Sequence, residues 1–260
     1  MSFIRKHPLI SAAAAVATVP VGVFSYFWAY GMKANSPAER KERPLPGDEL
    51  LREDDPKIRL QEEIEIDATP EEVWPVLAQL GQRKGGFYAL SWLERLCTFH
   101  IYNTFEKFDE WQKVEPGEFM FYHQSGIGSE IKEVVPGKHL TSVSDSREPT
   151  KAQGGGALLP PFGIDHFAWT WNFILEELPG GRTRFTARTD ATWQPWDKPI
   201  PKWLNIILLG SPSVFMVRQM LEKVKQVAEG RQSEQLVDRL VRTMVVRDPE
   251  SIPELLGKRR

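Results

Sequence analysis

The side chains that could move protons or attack a substrate are few and scattered along the chain. His100, His123, His139 and His166 show none of the i, i+4 spacing that sets two imidazoles on one helix face to hold a metal. No HExxH zinc motif and no GxSxG nucleophile elbow occurs. His123 has the best functional case, because it ends a stretch rich in aromatics. Asp165 and His166 are adjacent and could form an acid–base dyad at a cavity rim; a solvated strand end is the plainer reading. Cys97, the one cysteine, excludes an intrachain disulfide and a cysteine-built metal site. It reads as a small buried apolar residue, with a reactive thiol as the alternative. Gly154 to Gly156 lack GxGxxG or Walker spacing and a strand-to-helix junction, so they read as flexible loop. No catalytic residue or metal ligand is assigned, and no cofactor is called for.

Glu62 stands apart. In "IRLQEEIEID" (58–67), Ile58, Leu60, Ile64 and Ile66 alternate with Arg59, Gln61, Glu63 and Glu65, the pattern of a strand with one buried face. Parity puts Glu62 on the apolar side. It is either a carboxylate facing a cavity or a residue near a bulge that faces water.

The elements around these residues follow from pattern and punctuation. "TPEEVWPVLAQLG" opens on a capping box, with Thr69 as N-cap, Pro70 at the first helical position and Glu72 reaching back; Gly81 ends the helix. Gly85 and Gly86 let the chain turn before a second short helix through Trp92 and Leu96. Strands are predicted at 117–124, 127–135 and 138–145, then a loop from Ser146 to Gly163. Two stronger strands flank Pro179-Gly180-Gly181. On the first, Phe167, Trp169, Trp171, Phe173 and Leu175 share a face; on the second, Phe185, Ala187, Thr189, Ala191 and Trp193 do, opposite Arg184, Arg188 and Asp190. Bulky rings facing small neighbours can complement each other or leave space, in an antiparallel sheet wet on its other side. A long helix is predicted over 203–229, with an apolar stripe through Val214, Val217, Leu221, Val224 and Ala228.

The ends have their own character. His7 to Met32 carries no Asp, Glu, Lys or Arg and closes on Phe24, Tyr26, Phe27, Trp28 and Tyr30. As a helix it would reach about 39 Å at ~1.5 Å per residue, against a hydrocarbon core of ~30 Å. The aromatic cluster fits an interfacial belt, and the run continues past the small residues 15–17 where a signal peptide would be cut. An uncleaved single-pass anchor over 1–33 is expected, so that the bilayer is itself a partner. Lys33, Arg40, Lys41 and Arg43 outweigh Arg5 and Lys6 and favour a cytoplasmic body. Residues 34–57 read as a tether rich in Pro, Glu and Arg. In the extension 231–260, Leu236, Val237, Leu240, Val241, Met244 and Val245 repeat as an amphipathic helix. It packs on the body, or serves a membrane-protein partner or a membrane surface. A net charge of −2 leaves no basic excess for phosphates, which argues against nucleic acid.

"IEIDATPEEVWPVLAQLGQRKGGFYALSWLERL", then "NTFEKFDEWQKVEPGE" and "FMVRQMLEKVKQVAE", resemble the landmarks of the START/Bet v 1-like superfamily (SRPBCC), which includes polyketide cyclase/dehydrase and lipid-transport domains. The resemblance covers residues 58–230. It implies an α+β helix-grip fold, in which a curved antiparallel sheet wraps a long C-terminal helix around a deep cavity. It also implies a hydrophobic ligand, with cyclisation or dehydration in a minority of members. The chain departs from the pattern at Glu62, where a basic residue is frequent, and at Ser91, where an acidic one is.

Nine tryptophans and fourteen phenylalanines favour a wide aromatic-lined interior. The residues expected to line it are Glu62, Phe87, Tyr88, Trp92, Trp111, Phe121, His123, Phe167, Trp169, Trp171, Phe173 and Trp193. Three functions remain open: a membrane-tethered binder of a lipid, quinone-like or polyketide-like molecule; a cyclase/dehydratase using Glu62 or a histidine; or an assembly subunit of a membrane complex.

Overall fold

In the computed structural model the described residues are 36–54, 56–90, 94, 98–148, 155–157, 160, 163–199 and 211–231, with the helical positions 22, 25, 26, 29 and 30. Alternating apolar residues build six strands: β1 (Ile58–Ile66), β2 (Phe119–Phe121), β3 (Gly128–Val135), β4 (His139–Asp145), β5 (His166–Leu178) and β6 (Arg182–Gln194). They form one antiparallel sheet in the order β1-β6-β5-β4-β3-β2. A register shift between Ile131 and Glu133 bends β3 against β4 and adds to the curl. Among the described residues, helix α1 (Ala38–Glu42) precedes the sheet, α2 (Pro70–Ala78) follows β1, and α3 (Ser211–Ala228) follows β6. The predicted capping box on α2 is formed, with the Thr69 N–H donating to Glu72 Oε2 at 2.8 Å.

α3 packs along β1 and against α2. Its buried Met220, Leu221, Val224 and Val227 join Ile66, Phe173, Phe185 and Ala187 in the main core. A sheet gripping its C-terminal helix in this way is the helix-grip α+β arrangement that the family resemblance implied.

The other face of the sheet departs from expectation. Arg188 and Asp190, expected in water, are buried. The segment 36–54, expected as a loose tether, lies over them. Arg188 is 0% exposed; its Nη1 donates to Asp48 Oδ2 at 2.7 Å and to the Arg43 carbonyl at 2.9 Å, and its Nε to Gln61 Oε1 at 2.7 Å. Arg59 Nε donates to Asp190 Oδ1 at 2.7 Å. Gly47 sits against the sheet at φ +91°, where an added Cβ would fall 2.4 Å from Asn172 Nδ2, so the contact requires glycine. Charged residues alternating on a strand marked a face covered by polar backbone, not a wet one.

The single-pass membrane localisation is also corrected. Among the described residues no helix is long and apolar enough to cross a membrane. Most of the His7–Met32 run, and the aromatics Phe24, Phe27 and Trp28, lie outside the described residues. The described Tyr26 and Tyr30 rest on the body, their rings 6.3 and 5.1 Å from Phe215 of α3. The orientation argued from flanking charges falls with the anchor. The amphipathic segment 232–246 is outside the described residues.

Candidate functional site

Between the concave face of the sheet and α3 lies a cavity of about 780 Å³. β1 contributes Leu60 and Glu62, β5 contributes Trp169 and Trp171, and β6 contributes Ala187 and Thr189. The register explains the space: Trp169 pairs with Ala191 and Phe173 with Ala187, so large rings on β5 stand beside small side chains on β6. Val214, Met216, Val217 and Met220 of α3 form the opposite wall, with Ile101 and Ile127 from the loops. Thr98, Phe99, His123 and Ser125 also line it; the partly exposed Phe99 lies edge-on to His123 at 5.2 Å.

The glycine pair that follows α2 positions one wall. Gly81 and Gly86 exchange backbone hydrogen bonds of 3.0 and 2.9 Å. At Gly86 φ is +79°, and a Cβ would meet Asn103 Oδ1 at 2.4 Å. Asn103 Oδ1 instead accepts the Tyr88 N–H at 2.8 Å, while Asn103 Nδ2 donates to the Ala89 carbonyl at 3.2 Å. Gln79 Nε2 donates to the Tyr88 hydroxyl at 2.7 Å. These bonds hold the loop so that Phe87 enters the cavity and stacks on Trp171 at 5.3 Å.

The expected lining residues divide into groups. Glu62, Phe87, His123, Trp169 and Trp171 line the cavity. Trp111, Phe121 and Phe173 line a second hollow of about 330 Å³ beneath α2, where Arg83 lies 3.5 Å over the Phe121 ring. Phe167 and Trp193 pack with Ile164 in a separate cluster at one end of the sheet. Tyr88 is buried behind the glycine turn, its hydroxyl pushed up by burial. Trp92 and Cys97 lie outside the described residues. A shared face was not a shared site: from residue 167 to 173 a strand advances about 20 Å, and only Trp169 and Trp171 of that stretch line the cavity.

Among the lining residues outside the expected set, two carry polar groups that matter to the site, Tyr122 and Glu94. Tyr122 escaped because the strand predicted over 117–124 stops at Phe121 and the chain turns, which breaks the alternation. Its buried hydroxyl is hydrogen-bonded to Ser129. Glu94, at a helical position, is buried at the cavity wall; the acid between Trp92 and Leu96 in the sequence was the available signal.

Electrostatically the site is defined by its two acids. Burial pushes Glu62 up to about 8, opposed by the fields of Arg218 and Lys41. Burial likewise pushes Glu94 up to about 7, opposed by Lys223. The Asp165-His166 dyad does not form at this site: His166 Nε2 lies 3.3 Å from Asp145 Oδ1 instead, and Asp165 is exposed. Among the described residues no three His, Cys, Asp or Glu side chains converge to hold a metal ion.

No family model matches the chain, and no curated protein does. Among solved structures it is similar to protein MLL2253 from Mesorhizobium loti, with 15% identity over 68% of this chain and 100% of that one at a TM-score of 0.36. It is also similar to the Zhui aromatase/cyclase from Streptomyces sp. R1128, with 16% identity over 67% and 94% of the two chains and a TM-score of 0.36. Hypothetical protein jhp0584 from Helicobacter pylori gives 10% identity over 75% and 96% at 0.39. Likeness at this level transfers neither fold nor function, so the helix-grip architecture rests on the strand order, the register and the position of α3.

Proposed function

We propose that this chain binds a mostly apolar small molecule, of lipid, quinone-like or polyketide-like kind, between the sheet and α3, as START/Bet v 1-like domains do. The observation that carries the reading is the cavity of about 780 Å³, walled by aromatic and aliphatic side chains. Small-molecule sites span roughly 300–1,000 Å³ and carry few, well-placed polar groups. Here the buried polar atoms without a partner in that wall include both Glu62 oxygens and the indole nitrogens of Trp169 and Trp171. A ligand burying about 300 Å² of apolar surface would gain roughly 7 kcal/mol gross at ~25 cal/mol per Å². Lost freedom takes back several kcal/mol, which makes micromolar affinity the expectation.

The test is mass spectrometry of small molecules extracted from the purified protein, with titration of a fluorescent apolar probe read by tryptophan emission. A co-purifying apolar compound that displaces the probe supports the reading. If nothing co-purifies and no probe binds, the cavity has no ligand.

A second reading is favoured by Glu62. A carboxyl that stays protonated near neutral pH in a water-poor site is a ready proton donor for a cyclisation or dehydration. Glu62→Gln would then abolish turnover of a bound compound while leaving its affinity in place.

A further inference from the structure

Two carboxyls in the cavity wall have oxygens with nothing to bond. Glu62 is 1% exposed, and neither its Oε1 nor its Oε2 has a hydrogen-bond partner. Glu94 is 7% exposed, with Oε2 in the same condition. The neighbouring cations are engaged elsewhere or act at a distance. Arg218 Nε donates to Glu222 Oε1 at 3.0 Å and its Nη1 to the Glu63 carbonyl at 3.0 Å. Lys223 Nζ donates to the Ala89 carbonyl at 3.0 Å. Lys41 reaches Glu62 through its field alone. A buried acceptor left open in this way is destabilising, and more so once ionised.

We propose that the ligand of this cavity is a lipophilic amine, its ammonium group paired with Glu62 and its apolar body lying against Trp169, Trp171 and Phe87. This rests on the binding reading given above. Glu62 pairs with Ala187 on β6, and Ala187 with Phe173 on β5, so two strand spacings, about 10 Å, separate the acid from the aromatic strand. A head group on β1 therefore leaves room for a body across the rings. An ammonium brings several N–H donors and a compensating charge, whereas an alcohol brings one donor and no charge. A carboxylate ligand would face two acids and is disfavoured.

Proton balance fixes the pH dependence. The groups acting on Glu62 are Arg218 of α3, Lys41 of α1 and Glu63 of its own strand; Tyr30, on the N-terminal helix, senses both Glu62 and Glu222. Burial outweighs the lowering fields of Arg218 and Lys41 and leaves Glu62 protonated below about 8. An ammonium ion entering from water then displaces that proton to solvent, so its binding tightens as pH rises towards that value.

Calorimetric titration of the full chain with decylamine, decanol and decanoate, at about pH 6 and about pH 8, tests this. Decylamine should tighten about tenfold or more between the two pH values, and at the higher one should bind at least about tenfold better than the others. Glu62→Gln, which keeps the shape and removes the charge, should abolish both effects; Glu94→Gln should reduce them less and controls for folding. The proposal is overturned if decanol or decanoate matches decylamine at the higher pH, or if the pH dependence survives in Glu62→Gln. Binding of decanol and decanoate without amine preference would leave the cavity reading standing and sink this one. If none of the three binds, both fall.

Discussion

Arg188 of β6 and Asp48 of the segment before β1 are joined by a 2.7 Å ion pair across the outer face of the sheet. Arg188 is fully buried and draws further bonds from two carbonyls of the same segment, so residues 36–54 are part of the domain's stabilising structure. Asp48→Ala should cost about 2–4 kcal/mol in urea denaturation, because it leaves a buried guanidinium short of its counter-charge. A chain beginning at Pro56 should be less stable still. A loss below about 0.5 kcal/mol would show the segment to be a passive cover.

The stability of the protein should fall as pH rises through the range set by Glu62. Its carboxyl titrates at an ordinary 4.5 when unfolded and at about 8 when folded, so the folded state holds the extra proton. The penalty is absent below 4.5, grows above it and is complete past about 8. Glu62→Gln should therefore be neutral in acid and stabilising by about 2 kcal/mol near pH 8, after allowance for solvent screening. Denaturation curves across pH check the sign. A Gln variant that loses stability at high pH would place Glu62 in an unseen ion pair.

Space beside the tryptophans depends on the small side chains of β6. Thr189, paired with Leu60, lines the cavity. Thr189→Leu should fill part of it, lower apolar-probe affinity at least about tenfold and leave the thermal midpoint unchanged or higher. A lower midpoint with unchanged affinity would mean that the probe binds elsewhere.

The glycine turn makes a sharper demand. Gly86→Ala must place a methyl near Asn103 Oδ1 on a left-handed backbone. A cost of about 2–4 kcal/mol is expected, with weaker probe binding because Phe87 shifts with the loop. Asn103→Ala should weaken binding in the same direction.

Much of the architecture could be read before any coordinates. Strict alternation marked β5 and β6, and the capping box marked α2, since both are local signals. The cavity was half legible. The Trp–Ala pairing across β5 and β6 follows from parity and a short hairpin, and it predicts room at that point. What sequence could not show was extent along the strands, which is why Phe167, Phe173 and Trp193 were grouped with Trp169 and Trp171. Nor could it show what covered the other face. Alternating Arg and Asp look alike whether they meet water or backbone carbonyls, and only Asp48 and the carbonyls of Arg40 and Arg43 decide it.

The sheet order carries a consequence for synthesis. β1 pairs with β6, and its neighbourhood is tied by bonds such as Thr183 Oγ1 to the Ala68 carbonyl, 115 residues apart in the chain. At ~5–20 residues per second, β1 waits on the order of ten seconds after emerging before its partner exists. During that wait its apolar residues and its covering segment have no sheet to meet. Folding of this domain is therefore a late, non-local event with a high contact order, and it should be slow and dependent on protection of the nascent N-terminal half.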